Sequence, residues 1–173
     1  MTPRVRKFAL TAHIISSVGW LGAVAVFLAH AILGVSSQDI QTVRAVYLVM
    51  EPAAWFVLVP LAFASLLTGL FQSLGTTWGL FRHYWVLAKL LLTVLVTIVL
   101  LLKMELIGYV AGAAAEATLS SADLRAARTE LVIHAAGGLL VLLVPVALSL
   151  YKPRGMTRYG WRKQHEQRAL SQL

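Results

Sequence analysis

The chain has 173 residues, 59% of them hydrophobic and only 13% charged, with a formal net charge of +8. Soluble domains carry about 25% charged residues, so the composition belongs to a chain built around long apolar blocks. There is no cysteine, which excludes disulfides, thiolate metal sites and iron–sulfur clusters. The basic residues flank the apolar blocks and form no aromatic-basic or helix-turn-helix pattern. This sets nucleic acid aside as a partner and points to membrane topology.

Four mainly apolar segments follow one another at 8–34, 52–74, 84–107 and 130–151. Each has the length of about 20 residues that a bilayer core demands. In hydrocarbon each must be a helix, because only a helix satisfies its own backbone. The expected fold is therefore all-α, a polytopic four-transmembrane-helix bundle over 1–151 with a basic tail over 152–173. A cleaved signal peptide is the weaker reading of the first segment, since no small-residue cleavage site followed by a soluble domain appears. Arg4, Arg6, Lys7, Arg82, Lys152, Arg154, Arg158, Arg162, Lys163 and Arg168 fall on one side, against Arg44, Arg125 and Arg128 in the opposite loops. The positive-inside rule then places both termini in the cytoplasm. The tail "YKPRGMTRYGWRKQHEQR" mixes basic and aromatic residues and suits anionic headgroups.

The two outer loops, "SSQDIQTVRA" from Ser36 and "SSADLRAART" from Ser120, resemble each other. Both offer a Ser-x-x-Asp start, Ser36 to Asp39 and Ser120 to Asp123, close to a capping box. Each is expected to launch a short helix leading into the next span, with Pro60 and Pro145 kinking spans two and four. A duplicated helix pair would explain the likeness, as would shared loop chemistry.

Polar residues fall at two depths. His13 and His30 are separated by about 25 Å of helix, so they belong to different layers. In the inner layer His13, Ser16, Ser17 and Trp20 share one helix face, as do Lys89, Thr93 and Thr97 on span three and Ser65, Thr68 and Gln72 on span two. Three such stripes are expected to face one another, either enclosing a polar cavity or gluing the helices together. An intramembrane lysine is a functional hypothesis by default, with snorkelling to the interface as the alternative. His83, beside Trp78, Tyr84 and Trp85, belongs to an interfacial belt.

The outer layer holds His30, Met50, Glu51, Lys103, Met104, Glu105 and His134. His30 is followed by Gly34, and His134 by Gly137 and Gly138, which leaves room beside each imidazole. Three readings stay open. His30 and His134 can ligate a b-type haem from two helices; His30, Glu51 and His134 can hold a transition metal; or both histidines hydrogen-bond water at the interface.

The residues His13, Trp20 and Gly22 in this spacing resemble the first helix of CopD-like copper-resistance membrane proteins and of HemJ-type protoporphyrinogen oxidases. Trp85 and Lys89 in "WVLAKL" resemble a HemJ-type stretch. The stretches "GTTWGLFRHYWVLAKL" and "YKPRGMTRYG" resemble an uncharacterised family of bacterial four-helix membrane proteins over most of the chain. The HemJ-type likeness implies that His13, Trp20 and Lys89 lie near a porphyrin; the haem reading itself takes His30 and His134 as outer axial ligands, or His13 as an inner one, with Lys89 pairing a propionate. In place of the further third-helix histidine of that family, this chain has apolar residues and then Lys103.

Three functions follow: a haem-binding protein of electron transfer or porphyrin chemistry, a transporter of a metal ion or small solute along the inner stripes, or a structural or regulatory membrane protein without ligand. Gly19, Gly22, Gly69, Gly137 and Gly138 are expected at close helix contacts, within the chain or in a homo-oligomer. No hydrolytic or phosphate-loop motif is present.

Overall fold

The structure is a computed structural model and describes residues 2–75, 80–116, 122–151 and 155–170. Trp78, Ser120, Lys152 and Arg154 lie outside the described residues. The described residues are helical almost throughout. Helix α1 spans Pro3–Ser36, α2 Ile40–Ala53, α3 Val59–Gly75, α4 Tyr84–Leu102, α5 Met104–Ala115, α6 Ala122–Tyr151 and α7 Arg158–Leu170.

Four continuous or nearly continuous rods result: Pro3–Ser36, Ile40–Gly75, Tyr84–Ala115 and Asp123–Tyr151, each long and apolar enough to cross a membrane. Their 34, 36, 32 and 29 residues exceed the roughly 20 that a bilayer core requires. The excess over the expected spans lies mostly at one end, in residues 40–51, 108–115 and 122–129. We call this the far end. The opposite end carries the start of α1, the turn before α4 and α7; we call it the basic end.

Helix starts are set by local chemistry. Thr2 caps α1, with Pro3 at its first position, where a missing N–H costs nothing. At the first outer loop the cap is Asp39, whose carboxylate accepts from the Gln41 and Thr42 N–H groups at 3.2 and 3.0 Å. Ser36 is not the cap: it is the last residue of α1, and its hydroxyl donates to the Ile32 carbonyl. Asp39 stands immediately before the first residue of α2, where its carboxylate meets the exposed N–H groups, whereas Ser36 still belongs to α1. The second loop leads into one unbroken helix, α6, with Asp123 in its first turn.

The irregularities fall in spans two and three. Between Pro52 and Pro60 the helix widens into a π-helical segment, Ala54–Leu58, closed by Val59 N–H donating to Ala54 O. Two prolines eight residues apart remove two ladder bonds, and the widened turn lies between them. Span three tightens locally at Lys103, whose N–H is shared between the Val99 and Leu100 carbonyls at 3.0 and 3.1 Å while the helical ladder continues through Ile107 N–H to Lys103 O. The expected disturbance at Pro145 is absorbed without a break in α6.

The rods pack as a four-sided bundle: α1 against α3 and α6, α4 against α3 and α6, and α2 against α5. The core runs from Trp20, Val24, Phe27 and Ala31 of α1 through Tyr47, Met50 and Leu58 to Ile107, Val110, Leu124 and Leu131. Gly69 is required by close approach, since a Cβ there would meet His13 Cε1 at 2.9 Å. Gly19 contacts Leu61 and Gly138 contacts Val96, but a Cβ on Gly22 or Gly137 would meet nothing within 4 Å. Those two glycines therefore do not serve helix contacts within the chain.

At the basic end α7 is tied to the turn before α4. Thr157 N–H donates to Arg82 O at 3.0 Å, the Thr157 hydroxyl donates to Phe81 O, and Tyr84 N–H reaches Gly155 O at 3.4 Å. Thr157 Oγ1 also accepts from Gly160 N–H at 3.1 Å, capping α7.

Candidate functional site

The far end is organised by two arginines. Arg44 of α2 donates from Nε to Ala114 O at 2.8 Å and from its terminal nitrogen to Ala115 O at 3.1 Å. Arg128 of α6 donates to Gly34 O and, from Nε, to the Tyr47 hydroxyl at 3.1 Å. Each guanidinium thus satisfies carbonyls that a helix C-terminus leaves without an intrahelical partner, on α5 and α1 respectively, and meets the negative end of the helix dipole. Arg44 and Arg128 hold the same place in the two similar outer loops. Span two caps span three, and span four caps span one, as a twofold-related pair of helix hairpins would. The loop likeness carried this signal, but the aligned arginines were not singled out. Tyr47 is 1% exposed, lies beneath Arg128, whose guanidinium is 5.3 Å from the ring centroid, and fills the space that Gly34 leaves open.

Below this clamp lies a cavity of about 70 Å³ between all four rods. Trp20, Phe27, Leu58, Val99, Lys103 and His134 are among its lining residues, and most of the lining is apolar. Both helix irregularities touch it, the π-helical turn through Leu58 and the tightened turn of span three through Lys103. Lys103 Nζ donates to Glu130 Oε1 at 2.6 Å. His134 Nδ1 lies 2.9 Å from the Glu130 carbonyl oxygen, one turn earlier, and 3.9 Å from Oε1 of the same residue. The first of these contacts places the ring proton on Nδ1 and leaves Nε2 as a lone pair. Trp20 is 1% exposed, and its Nε1–H has no hydrogen-bond partner. A buried donor in that state costs about 1–3 kcal/mol.

The sequence-nominated residues divide between this cavity and its surroundings. Trp20 and His134 line it; His30 is not among its lining residues, and the His30 ring turns to the Val26 carbonyl at 2.8 Å. Glu51 lies beside Gly108 instead. Among the described residues no group of three or more histidines, aspartates or glutamates is placed to hold a metal ion. The expected metal set of His30, Glu51 and His134 is therefore not assembled: the three are spread over three helices whose packing turns them to different neighbours.

Nearer the basic end, the stripes of spans one and two do meet. His13 Nδ1 lies 3.1 Å from Thr68 Oγ1, which is also 3.3 Å from Ser16 Oγ. The third stripe makes its hydrogen bonds to α6 and to its own helix. Lys89 Nζ donates to Ser149 Oγ of α6 at 2.6 Å and lies 5.7 Å from the Trp85 ring centroid. Thr93 and Thr97 donate to carbonyls of their own helix. Ser149, the partner of Lys89, has no counterpart in the three stripes read from the sequence.

No protein-family model, curated protein or solved structure matches the chain.

Proposed function

We propose that this chain is a multi-pass membrane protein, with both termini on the cytoplasmic side of a bacterial inner membrane, that binds a small, mainly apolar solute in its central cavity. The observation that carries this reading is the buried, unpartnered indole N–H of Trp20, a residue that lines a mainly apolar cavity together with Lys103 and His134. Such a donor calls for an acceptor that the protein does not supply, so the solute carries a carbonyl or ether oxygen on an apolar body. Two irregular turns beside one cavity support the same reading. Local tightening within a helix often marks a functional hinge, and π-helical turns recur at functional positions.

The test compares 2-octanone with octane as ligands of the detergent-purified protein, read as a shift in thermal midpoint. The ketone is expected to stabilise more than the alkane, and Trp20→Phe to abolish the difference. Equal effects of the two on the wild type would refute the reading.

A b-type haem held by His134 is the second reading, favoured by the locked Nδ1–H of that ring. Haem ligands characteristically donate their other nitrogen in this way. The cavity as it stands, about 70 Å³, is smaller than 2-octanone and far smaller than a tetrapyrrole, so both require its walls to part and haem by much more. A Soret band in the purified protein that is lost in His134→Ala would establish it; a flat spectrum from cells fed haem precursor would remove it.

A further inference from the structure

Among the described residues, the ammonium of Lys89 stands within the bundle without a carboxylate beside it. Lys89 sits five residues into α4, about 7 Å from the helix start at Tyr84. Its ammonium has three N–H donors. One goes to Ser149 Oγ at 2.6 Å, and the ring of Trp85 lies on another side. Ser149 in turn donates to the Pro145 carbonyl at 2.7 Å, so its one hydrogen is spent and its oxygen accepts from Lys89. Among the described residues Lys89 meets no carboxylate; the ion pairs there, Lys103 with Glu130 and His134 with Glu130, lie at the far end.

The sequence explains why. Of seven acidic residues, Asp39, Glu51, Glu105, Glu116, Asp123 and Glu130 belong to the far-end half of their spans or its loops, and only Glu166 belongs to the C-terminal helix. By sequence, the basic end therefore combines a half-buried ammonium with the further cations Arg4, Arg6, Lys7, Arg158, Arg162 and Lys163, against the one carboxylate of Glu166. A cation sunk below the surface of a membrane is costly unless paired. At this depth, one to two turns below the helix start, the anion at hand is a phosphate group.

We propose that Lys89, held in place by Ser149 and flanked by Trp85, is the floor of a phosphate-binding site between α4 and α6 at the basic end of the bundle. The phosphate can belong to a phospholipid headgroup or to a free anion. The site is independent of the central cavity.

The full chain is purified in a mixture of phospholipid and a galactolipid with the same acyl chains, and the lipid that stays bound is read by native mass spectrometry. In parallel, delipidated protein is titrated with inorganic phosphate or chloride and its thermal midpoint followed. The site predicts retention of phospholipid over galactolipid by at least about fivefold, the equivalent of one charge-assisted hydrogen bond. Lys89→Met brings the ratio to parity, and Lys89→Arg keeps it, because a guanidinium also binds phosphate. Preference for phospholipid identifies the headgroup as the source. Stabilisation by inorganic phosphate alone, lost in Lys89→Met, identifies the free anion. Ser149→Ala, which leaves the lysine in place but unanchored, is the second variant should Lys89→Met fail to fold, and it predicts partial loss. A Lys89→Met protein that retains phospholipid like the wild type, or a wild type that prefers neither lipid and responds no more to phosphate than to chloride, overturns the proposal.

Discussion

At the far end Val43, Tyr47, Val110, Ala114 and Leu124 are buried, and polar groups such as Asp39 and Thr129 face outward. Along α4 the arrangement reverses: Leu91, Leu95 and Ile98 are 66%, 53% and 49% exposed, while Thr97 is 5% exposed. The most apolar window of the third rod is only 6% buried inside the protein. This contrast is the one expected of a chain whose two regions meet different solvents. Where water surrounds the helices, the hydrophobic effect drives apolar side chains inward. Where lipid surrounds them that drive vanishes, and small or polar residues take the contacts between helices.

The sharpest way to break this comparison is to place the same charge at two positions of equal exposure. Leu95 and Ile40 are both 53% exposed. Leu95→Asp is expected to cost about 3 kcal/mol, because the charge would sit in lipid. Ile40→Asp should stay within about 0.5 kcal/mol, helped by its place at the start of α2. Membrane-fraction yield and thermal midpoint measure both; equal effects would mean that the two ends share one environment.

Within the far end, Arg128→Met leaves the Gly34 carbonyl and the Tyr47 hydroxyl unpaired and should lower stability by about 2–3 kcal/mol. Gly34→Ala forces a Cβ to 2.5 Å from Tyr47, which should cost about 2 kcal/mol; shortening the neighbour in Tyr47→Leu should relieve part of that cost. Arg44→Met, which uncaps α5 without stranding a buried hydroxyl, is expected to cost about 1 kcal/mol. Midpoints of thermal unfolding in detergent test this order, and a larger effect at Arg44 than at Arg128 would break the ranking.

The smallest effect concerns acid. The Thr42 hydroxyl and the N–H groups of Thr42 and Gln41 hold the Asp39 carboxyl below its ordinary range. A depressed carboxyl adds stability above its unfolded value and loses it as pH falls through the folded one. The start of α2 should therefore loosen below pH about 4. Amide exchange at Gln41 and Thr42 should quicken there, and Asp39→Asn should remove most of that pH dependence.

The four rods were legible because each apolar run is far longer than a soluble helix requires. Their outer extensions were legible in part: the Ser-x-x-Asp starts announced short helices leading into spans two and four, as 40–51 and 122–129 form, but nothing in the apolar pattern showed that Arg44 and Arg128 reach across to the carbonyls ending α5 and α1. The facing of His13 on Thr68 was readable from helical spacing, since both lie on regular helix. The partner of Lys89 was not, because Ser149 stands alone in an apolar run. The cavity was invisible for a different reason. It arises where a π-helical turn and the tightened turn at Lys103 shift side chains out of regular phase, and periodicity assumes regular phase.

The most direct test of the central cavity is a ¹⁵N–¹H spectrum of the five tryptophan indoles in the purified protein, with Trp20 assigned by its loss in Trp20→Phe. Addition of 2-octanone should move the Trp20 indole proton downfield, while octane leaves it in place. A Trp20 signal that responds to neither, or to both alike, would contradict a solute held by that N–H.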